Sequence, residues 1–271
     1  MIIIPDISHY NPVKDWNELK GSGVKFLISK ATQGTKYVDP TLDEFIKGCE
    51  KHKIPYWLYC YLNKDNEVDQ VKHMINTCKG KIGPFFVGYI LDIESGNTPE
   101  NCQMALDYLL KQGYKMMIYT GNADYPKYKN LILNRGTNCA HWEARYGPND
   151  GKYHESFPCS PSADLHQYTS RGSFAGLREK TDLSRLTGRK PLEWFVSRVN
   201  NSGKSRAGKV TTDLFIRKGP GTEFSAIGCL PEGSNVQILD TVINSNGKPW
   251  HKINHGERIG YISGKYVKEG A

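Results

Sequence analysis

Short apolar runs alternate with amphipathic segments along the first half of the chain. The runs are rich in β-branched and aromatic residues and cover residues 2–6, 24–30, 54–62, 85–94 and 114–120. Continuous apolar runs of this length are typical of strands that are buried on both faces of a parallel sheet. The pattern therefore predicts five parallel strands with helical segments between them.

Three of the intervening segments carry helix start signals. Asp39-Pro40 opens one, Asp65 opens a second, and Thr98-Pro99 opens a third that should end at Gly113. The third segment has an apolar face, as a helix packed against a sheet requires. That face consists of Cys102, Ala105, Leu106, Leu109 and Leu110.

The alternation of apolar runs and amphipathic segments ends near residue 135. Short runs at 139–146, 163–168 and 178–183 have the character of strands, and no amphipathic helix separates them. The predicted fold class is α/β, an irregular (β/α) barrel of about five β/α units followed by roughly three bare strands. In such barrels the reactive groups gather at the C-terminal ends of the strands.

A change of composition marks the end of this barrel. No acidic residue occurs from Phe195 to Thr212, where Ser, Asn, Gly and basic residues dominate. Such a stretch buries little apolar surface, so we expect a flexible basic linker at 193–208. It would join a barrel at 1–192 to a second domain at 209–271.

The second domain carries the pattern of a small all-β barrel. Its short β-like runs are separated by turn signals, namely Gly219-Pro220-Gly221, Pro231-Glu232-Gly233 and Asn246-Gly247. Closely spaced strands with such turns, and without a helical segment among them, predict a compact all-β barrel.

The charge of the chain narrows the class of its partners. A net charge of +8 favours an anionic partner such as an acidic cell wall. The chain has neither a basic run with interleaved aromatics nor a nucleic-acid motif, so no nucleic acid is expected as a partner. No apolar stretch approaches the ~20 residues of a membrane span, so stable membrane insertion is not expected.

Cysteine usage and the N-terminus indicate where the chain is made. Seven cysteines without a CxxC pair predict reduced, mostly buried thiols rather than a disulfide framework or a zinc site. The stretch Met1–Asp6 lacks the basic and long apolar regions of a signal peptide. We therefore expect synthesis in the cytoplasm. No cofactor and no metal are expected.

The strongest chemical signal is Asp92-Ile93-Glu94 at the end of the run 85–94. Residues two apart on a strand face the same side, with Cα atoms roughly 6.6 Å apart, so Asp92 and Glu94 would face one cavity. Two buried carboxylates repel each other and lose hydration, which raises the pKa of at least one. A carboxylic acid that keeps its proton near neutral pH is what a glycosidase needs. An exposed strand end or a helix N-cap is the alternative for this triplet.

Two further carboxylates are expected at the same end of the barrel. Asp6 ends the first predicted strand, and Asp182 lies near the end of the last. Taken singly, Asp6 fits an Asx-turn and Asp182 fits a helix N-cap before Leu183. Four carboxylates at strand ends together favour a catalytic cluster.

Other short motifs accompany these carboxylates. They are Asp6-Ile7-Ser8, Tyr10-Asn11-Pro12, Ile28–Gly34 running to Asp39-Pro40, Leu91–Glu94, Tyr119-Thr120, Trp142–Tyr146, His166-Gln167-Tyr168 and Thr181-Asp182-Leu183. In content and order they resemble the family 25 glycoside hydrolases, the lysozymes of bacteria and bacteriophages, over residues 1 to about 190. The resemblance implies an N-acetylmuramidase that cleaves the β-1,4 bond between N-acetylmuramic acid and N-acetylglucosamine in peptidoglycan.

The resemblance also implies roles for the candidate site residues. Glu94 would be the general acid, and Asp92 the carboxylate that stabilises developing positive charge or steers the substrate N-acetyl group. Asp6 and Asp182 would support or position them. It favours net retention at the anomeric carbon with help from the acetamido group. The substrate-binding candidates are Lys30, Tyr61, Tyr119, Trp142, Tyr146, Gln167 and Tyr168.

Two positions depart from the family pattern, and one alternative applies to the aromatic residues. Gln33 stands where the family commonly has an acidic residue, and Tyr61-Leu62 stands where it usually has His-Phe. These changes alter groove polarity and leave the carboxylates intact. Ordinary core packing is the alternative for the aromatic candidates.

The C-terminal region resembles bacterial SH3-like wall-binding domains over residues 209–268. The matching runs are Leu214–Gly221, Ile227-Gly228, Leu230–Gly233, Trp250–Ile253, Gly260–Ser263 and Lys265–Val267. Trp250 and Tyr261 are the wall-binding candidates, with core packing as the alternative. Such a domain would tether the enzyme and raise its local concentration at the wall.

Two other functions stay open at this point. One is an N-acetylglucosaminidase on the same barrel, although residues 88–94 lack the longer Asp-rich run of a chitinase. The other is a non-catalytic wall-binding protein that keeps the barrel as a scaffold. Paired wall-directed domains without a signal peptide fit a phage endolysin released through a holin, with a bacterial autolysin as the alternative.

Overall fold

The computed structural model describes residues 1–178, 180–197, 206–244, 248–255 and 258–269. The chain divides into two compact units, Met1–Val199 and Asn200–Ala271. Among the helices of the described residues, none combines the length and the apolar character that crossing a bilayer requires.

Eight strands of the first unit close into a barrel. They are β1 (Ile3–Ile7), β2 (Leu27–Gln33), β4 (Tyr56–Tyr61), β5 (Phe86–Ile93), β6 (Lys115–Gly121), β7 (Cys139–Ala144), β8 (Leu165–Gly172) and β9 (Thr181–Leu186). A two-residue strand, β3 (Tyr37–Val38), pairs only with β2. Strands β1 to β8 of the barrel run parallel to their neighbours, whereas β9 is antiparallel to both β8 and β1.

Helices follow the first five barrel strands, which confirms the predicted β/α units. The helices of this unit are α1 (Trp16–Gly21), α2 (Leu42–His52), α3 (Glu67–Cys78), α4 (Pro99–Lys111), α5 (Tyr125–Leu133) and α6 (Leu192–Val196). The start of α4 is as predicted, because Thr98 Oγ1 accepts a hydrogen bond from Asn101 N at 3.2 Å. Helix α3 begins at Glu67, after Asp65 and Asn66 adopt left-handed backbone conformations.

Alternating residues of each strand separate two apolar cores. Ile90 of β5 packs inside the barrel, and its neighbour Leu91 packs outside, where the helices cover the sheet. All eight residues of β5 are buried. This double burial is the physical reason for the uninterrupted apolar run of the sequence.

The position and direction of the last barrel strand differ from the prediction. The sequence indicated a strand at 178–183 with Asp182 near its end, but β9 spans Thr181–Leu186 and Asp182 is its second residue. Because β9 runs antiparallel to the other strands, its beginning lies at the same end of the barrel as their C-terminal ends. Asp182 therefore lies at the predicted end of the barrel, although it is near the start of its strand rather than near the end.

The predicted linker at 193–208 is wrong at both ends. Helix α6 belongs to the barrel, because the Phe195 ring is fully buried and stacks on Phe26 at 5.5 Å. Its main chain is also held, since Trp57 Nε1 donates to the Phe195 carbonyl at 2.8 Å. Lys115 Nζ donates to the Trp194 and Ser197 carbonyls at 2.6 and 2.7 Å.

These partners lie at or near the starts of β2, β4 and β6, so α6 closes the end of the barrel opposite to the strand C-termini. At its other end, the predicted linker reaches into strand β10 (Arg206–Val210). Residues 198–205, the middle of the predicted linker, lie outside the described residues.

The second unit is an antiparallel sheet of seven strands. After β10 these are β11 (Leu214–Arg217), β12 (Ala226–Leu230), β13 (Asn235–Ile243), β14 (Pro249–His255), β15 (Arg258–Ser263) and β16 (Val267–Glu269), in the spatial order β12-β11-β15-β14-β13-β10-β16. Its own core is formed by aliphatic side chains, among them Val210, Ile216 and Ile253. The predicted turns at 219–221 and 231–233 connect successive strands, and Asn246-Gly247 lies outside the described residues.

Candidate active site

One layer of inward-facing side chains occupies the end of the barrel where the parallel strands terminate. Each parallel strand supplies an apolar residue to the interior: Ile4, Ile28, Trp57, Ile90, Met117, Ala140 and Leu165. Residues two positions further along a strand face the same side. In chain order they are Asp6, Lys30, Tyr59, Asp92, Tyr119, Trp142 and Gln167. The sheet thus brings most of the predicted site residues into one layer above the apolar interior.

Asp6 and Asp182 form a pair within this layer. They are directly opposite each other in the β1–β9 register. Gln167 Nε2 donates to Asp6 Oδ2 at 3.0 Å, to Asp6 Oδ1 at 3.2 Å and to Asp182 Oδ2 at 3.3 Å. Burial, followed by repulsion from Asp182, holds the pKa of Asp6 well above its usual range, although Gln167 lowers it. Burial and then the Glu94 charge raise the pKa of Asp182 to about 7.

Gln167 connects these carboxylates to two tyrosines. Its Oε1 accepts hydrogen bonds from Tyr119 OH at 2.8 Å and from Tyr146 OH at 2.7 Å. Because both tyrosines donate to the oxygen, the amide nitrogen must face Asp6 and Asp182. Gln167 itself is only 2% exposed. We therefore interpret it as a residue that positions the carboxylates rather than one that contacts substrate.

Asp92 is buried at the end of β5, and its Oδ1 has no hydrogen-bond partner among the described residues. Burial raises the pKa of Asp92 well above its usual range, and the negative charge of Glu94 and a hydrogen bond with it raise it further. The Lys30 ammonium opposes this rise in pKa. Lys30 is itself held by Gln33, whose Oε1 accepts from Nζ at 2.7 Å. The departure at Gln33 thus supplies a neutral partner for Lys30.

Glu94 lies one residue beyond β5 and is exposed, unlike the buried setting that the sequence predicted. Because the strand ends at Ile93, the Glu94 side chain lies outside the buried interior of the barrel, whereas Asp92 lies within it. Its charge still raises the pKa of Asp6, Asp92 and Asp182. The three aspartates show the predicted rise in carboxylate pKa, and Glu94 is the exposed member of the cluster.

The aromatic candidates occupy different depths. Trp142 is 2% exposed; its ring packs on Tyr119 at 4.4 Å and its Nε1 donates to Ser184 Oγ at 2.9 Å. Tyr61 is half-buried, with Lys30 Nζ 5.1 Å from its ring centre. Trp142 and Tyr119 therefore form the floor of the site, and Tyr61 lies at its side.

Tyr168 lies away from the carboxylate cluster. It follows Gln167 on β8, so strand alternation turns its side chain to the other face. Its ring packs edge-on against Tyr153 at 5.9 Å, and Tyr153 in turn contacts the Arg185 guanidinium. Among the described contacts none joins Tyr168 to the carboxylates. The core-packing alternative describes this residue better than the groove does.

Sequence reasoning missed Tyr59, which lies between Trp57 and Tyr61 on the inner face of β4. Burial and then the charges of Asp92, Asp6 and Asp182 raise its pKa well above the usual range, so it remains a neutral phenol. The signal was present as an alternation of aromatic residues, since positions 57, 59 and 61 share one face of the strand.

A further buried acidic residue of the barrel, Glu143, has a structural role. Its carboxylate accepts from Asn122 Nδ2 and Ser160 N at 2.8 Å each, and from Ser160 Oγ at 2.5 Å. It is fully buried on the face of β7 opposite to Trp142. These bonds fix the loop after β7 and leave no oxygen for chemistry. Within the described part of the chain, no group of three or more His, Cys, Asp or Glu is arranged to hold a metal ion.

All seven cysteines lie in the described residues and are free thiols, as predicted. Five of them are buried, Cys159 is half-buried and Cys229 is exposed. Burial raises the pKa of the Cys60, Cys78, Cys102 and Cys139 thiols to about 12 in each case. These four cysteines are therefore neutral apolar side chains of the core.

The second unit contains an open groove of about 630 Å³. Among its lining residues are Phe215, Arg217, Lys248, Trp250, Lys265 and Tyr266. The predicted candidate Trp250 lines this groove and is 5% exposed. Tyr261, the other candidate, pairs with Lys252 and Arg217 across the sheet and is not among the described lining residues.

Comparison with known families gives two matches that follow the division of the chain. The model of glycosyl hydrolases family 25 matches residues 5–177, and the model of the bacterial SH3 domain matches residues 212–268. An autolytic lysozyme of Clostridium acetobutylicum is 26% identical over 180 residues, which cover 64% of this chain. The matched part spans about half of that relative, 52% of its length.

Solved structures agree with the first match. The catalytic domain of the endolysin ply40 from bacteriophage P40 of Listeria monocytogenes is 26% identical, with a TM-score of 0.59 over 69% of this chain and 94% of that domain. A family 25 glycosyl hydrolase of Streptococcus pneumoniae, GHIP, gives a TM-score of 0.61 at 18% identity, over 72% of this chain and 93% of that one. The second likeness bears on the fold alone.

Proposed function

Since this chain belongs to family 25 of the glycosyl hydrolases, we propose that it is a lysozyme-type peptidoglycan hydrolase. It cleaves the β-1,4 bond between N-acetylmuramic acid and N-acetylglucosamine, and its SH3-like unit directs it to the bacterial wall. The observation that carries this proposal is the cluster of four carboxylates at one end of the barrel. Three of them, Asp6, Asp92 and Asp182, have a raised pKa, so the cluster retains protons where isolated carboxylates have lost theirs.

The arrangement suits general acid catalysis of glycoside cleavage. Glu94 is exposed to an incoming sugar strand, and its charge raises the pKa of buried Asp92. We propose that Glu94 donates the proton to the leaving oxygen, while Asp92 stabilises the developing positive charge or orients the acetamido group. Asp6 and Asp182, bridged by Gln167, support and position this pair.

The proposed stereochemical outcome is net retention with participation of the substrate acetamido group. This route needs no protein nucleophile, because the acetamido oxygen attacks the anomeric carbon and water later opens the intermediate. Proton NMR during the first turnovers reads the anomer directly. Initial release of the inverted anomer would contradict this part of the proposal and leave the bond assignment untouched.

Wall binding is assigned to the groove of the second unit. Its basic residues, Arg217, Lys248 and Lys265, suit an anionic wall, and Phe215 offers an exposed aromatic face. The charge of the whole chain, +8, acts in the same direction.

Mass spectrometry of digested walls tests the bond assignment. Fragments with a reducing-end muramic acid are the expected product, whereas reducing-end glucosamine would identify an N-acetylglucosaminidase. A protein that pellets with walls and never releases fragments would instead be a non-catalytic wall-binding protein.

We further propose an endolysin role, in which the enzyme meets the wall after a holin opens the membrane. The likeness to the phage P40 endolysin domain supports this, while the likeness to an autolytic lysozyme favours a bacterial autolysin. Expression in a susceptible bacterium with and without a holin distinguishes the two. Lysis only with the holin is the expected result, and lysis by the enzyme alone would favour the autolysin.

A further inference from the structure

A group of aromatic side chains extends the catalytic end of the barrel beyond the carboxylates. This group, the rim cluster, consists of the rings of His9, Tyr10 and Tyr37 together with the carboxylate of Asp39, which contacts His9. Tyr10 is 81% exposed and Tyr37 is 39% exposed, which is unusual for large side chains that are held in place. The Tyr10 ring packs on the His9 ring, with 3.8 Å between ring centres.

Asp39 anchors the rim cluster from below. It is 1% exposed, and its Oδ2 accepts from His9 N at 3.1 Å and contacts His9 Nδ1 at 2.9 Å. Its Oδ1 accepts from Thr41 N and Oγ1 at 2.9 and 2.6 Å. Tyr37 OH lies 3.1 Å from His9 Nδ1. Both side-chain contacts reach the His9 ring at Nδ1, and the Tyr10 ring packs against that anchored ring.

The rim cluster is continuous with the carboxylate site. Lys30 Nζ lies 5.5 Å from the centre of the Tyr37 ring and 5.1 Å from that of Tyr61, and its charge acts on Asp92. A ligand that leaves the carboxylates past Tyr61 and Lys30 therefore meets Tyr37 and then Tyr10. An extension of the ligand that the carboxylates hold would thus reach this surface.

We propose that the rim cluster is an additional saccharide subsite, which binds an N-acetylhexosamine of the glycan strand beyond those at the cleaved bond. This inference rests on the proposed function, since it takes the strand as the ligand of the carboxylate site. The exposed face of Tyr10 stacks on the apolar face of the pyranose ring. Tyr37 and His9 supply hydrogen-bonding edges for its hydroxyl and acetamido groups.

The anchoring of His9 bears on the cost of binding a sugar. An exposed tyrosine that samples several rotamers loses conformational entropy when a sugar binds, and packing against the anchored His9 ring lowers that cost. A longer strand should therefore be cut more efficiently than a short one.

Chain-length dependence of cleavage tests this subsite. The substrates are a tetrasaccharide and an octasaccharide of alternating N-acetylglucosamine and N-acetylmuramic acid, each measured as kcat/KM. Tyr10→Ala should lower kcat/KM on the octasaccharide by about five-fold, the scale of one lost aromatic contact, and should lower it less on the tetrasaccharide. Tyr37→Phe, which removes only the hydroxyl, should give a smaller loss with the same dependence on length.

The matched control is Met104→Ala, which removes a side chain 59% exposed on the outer helix α4. This variant should have the wild-type kcat/KM on both substrates. An equal loss on both substrates in Tyr10→Ala, or no loss on the octasaccharide, would overturn the subsite. If the wild-type protein cleaves neither substrate, the proposed function fails instead, and the two failures are thus distinguishable.

Discussion

In the barrel, Asp6 and Asp92 are buried and held among hydrogen bonds and opposing charges, whereas the groove of the second unit displays basic and aromatic side chains on an open surface. The barrel carboxylates repel one another, and their geometry is set by Gln167 and the sheet register. The basic side chains of the groove lie beside Phe215 and Tyr266. The Arg217 guanidinium, for example, is 5.7 Å from the centre of the Phe215 ring.

This difference follows from the work that each region is proposed to do. General acid catalysis needs a site that holds protons near neutral pH, and desolvation keeps protons on the buried aspartates next to Glu94. Tethering needs contacts that form and dissociate quickly, and exposed side chains provide these at little cost in folding stability. The two regions should therefore respond differently to substitution, pH and truncation.

The largest expected effect is that of Glu94→Gln on catalysis. Glutamine preserves the shape and cannot donate the proton, so clearing of wall suspensions should fall at least ~100-fold, the lower range for a lost general acid. Sedimentation with walls should not change, because the second unit is untouched. Glu100→Gln, at an exposed glutamate in the first turn of α4, is the matched control and should retain full activity. Full clearing by Glu94→Gln would refute the assignment.

Truncation after Ser197 should separate the two regions. Hydrolysis of soluble fragments should persist, because α6 and its contacts remain, while sedimentation with walls should fall by ~10- to 100-fold, the lower range for a lost second attachment. Truncation after Lys190 removes Phe195 from its stack on Phe26 and should lower the free energy of unfolding by about 3–5 kcal/mol. Thermal melts and pelleting assays measure both. Unchanged pelleting of the longer form would place wall binding in the barrel.

Gln167→Glu should lower activity by about 10-fold or more, the scale of one lost hydrogen bond to a charged group. The substitution replaces the amide donor with a carboxylate that faces Asp6 and Asp182. If Gln167 positions the carboxylates, the loss should appear in kcat, together with a shift of the pH profile. A loss confined to KM would instead indicate a substrate contact. Gln112→Glu, at an exposed glutamine after α4, is the matched control.

The smallest effect concerns the stability of the barrel as a function of pH. Asp182 has a folded-state pKa of about 7, raised mainly by burial. The folded state binds this proton more tightly than the unfolded state, so its contribution to stability is complete below about pH 4 and is lost as pH rises to about 7. As pH rises from about 4 to about 7, the Tm of Asp182→Asn should therefore increase relative to the Tm of the wild type.

The matched control for this measurement is Asp107→Asn, at an exposed position of α4. It should follow the wild-type curve of Tm against pH. A constant difference in Tm between Asp182→Asn and wild type across the same range would show that the folded-state pKa of Asp182 is not raised.

Particular residues show how far the sequence alone leads. Asp92 and Glu94 were assigned to one cavity from their spacing, and Asp6 from its position at a strand end. The depth of Glu94 was wrong, because a strand can end one residue before its apolar pattern suggests. The sequence places Gln167 among the substrate-binding candidates. Its contacts with two tyrosines, which orient its amide, leave no signal in the sequence.

The sequence by itself determined the parallel strands, the five β/α units and the identity of the carboxylates, because these depend on local periodicity and on residue chemistry. Only the tertiary structure decided that β9 runs antiparallel, which places Asp182 opposite Asp6. It also decided that Phe195 closes the far end of the barrel and that Asp39 contacts the His9 ring next to Tyr10. These are contacts between residues far apart in the chain, and barrel closure, which no local pattern encodes, brings them together.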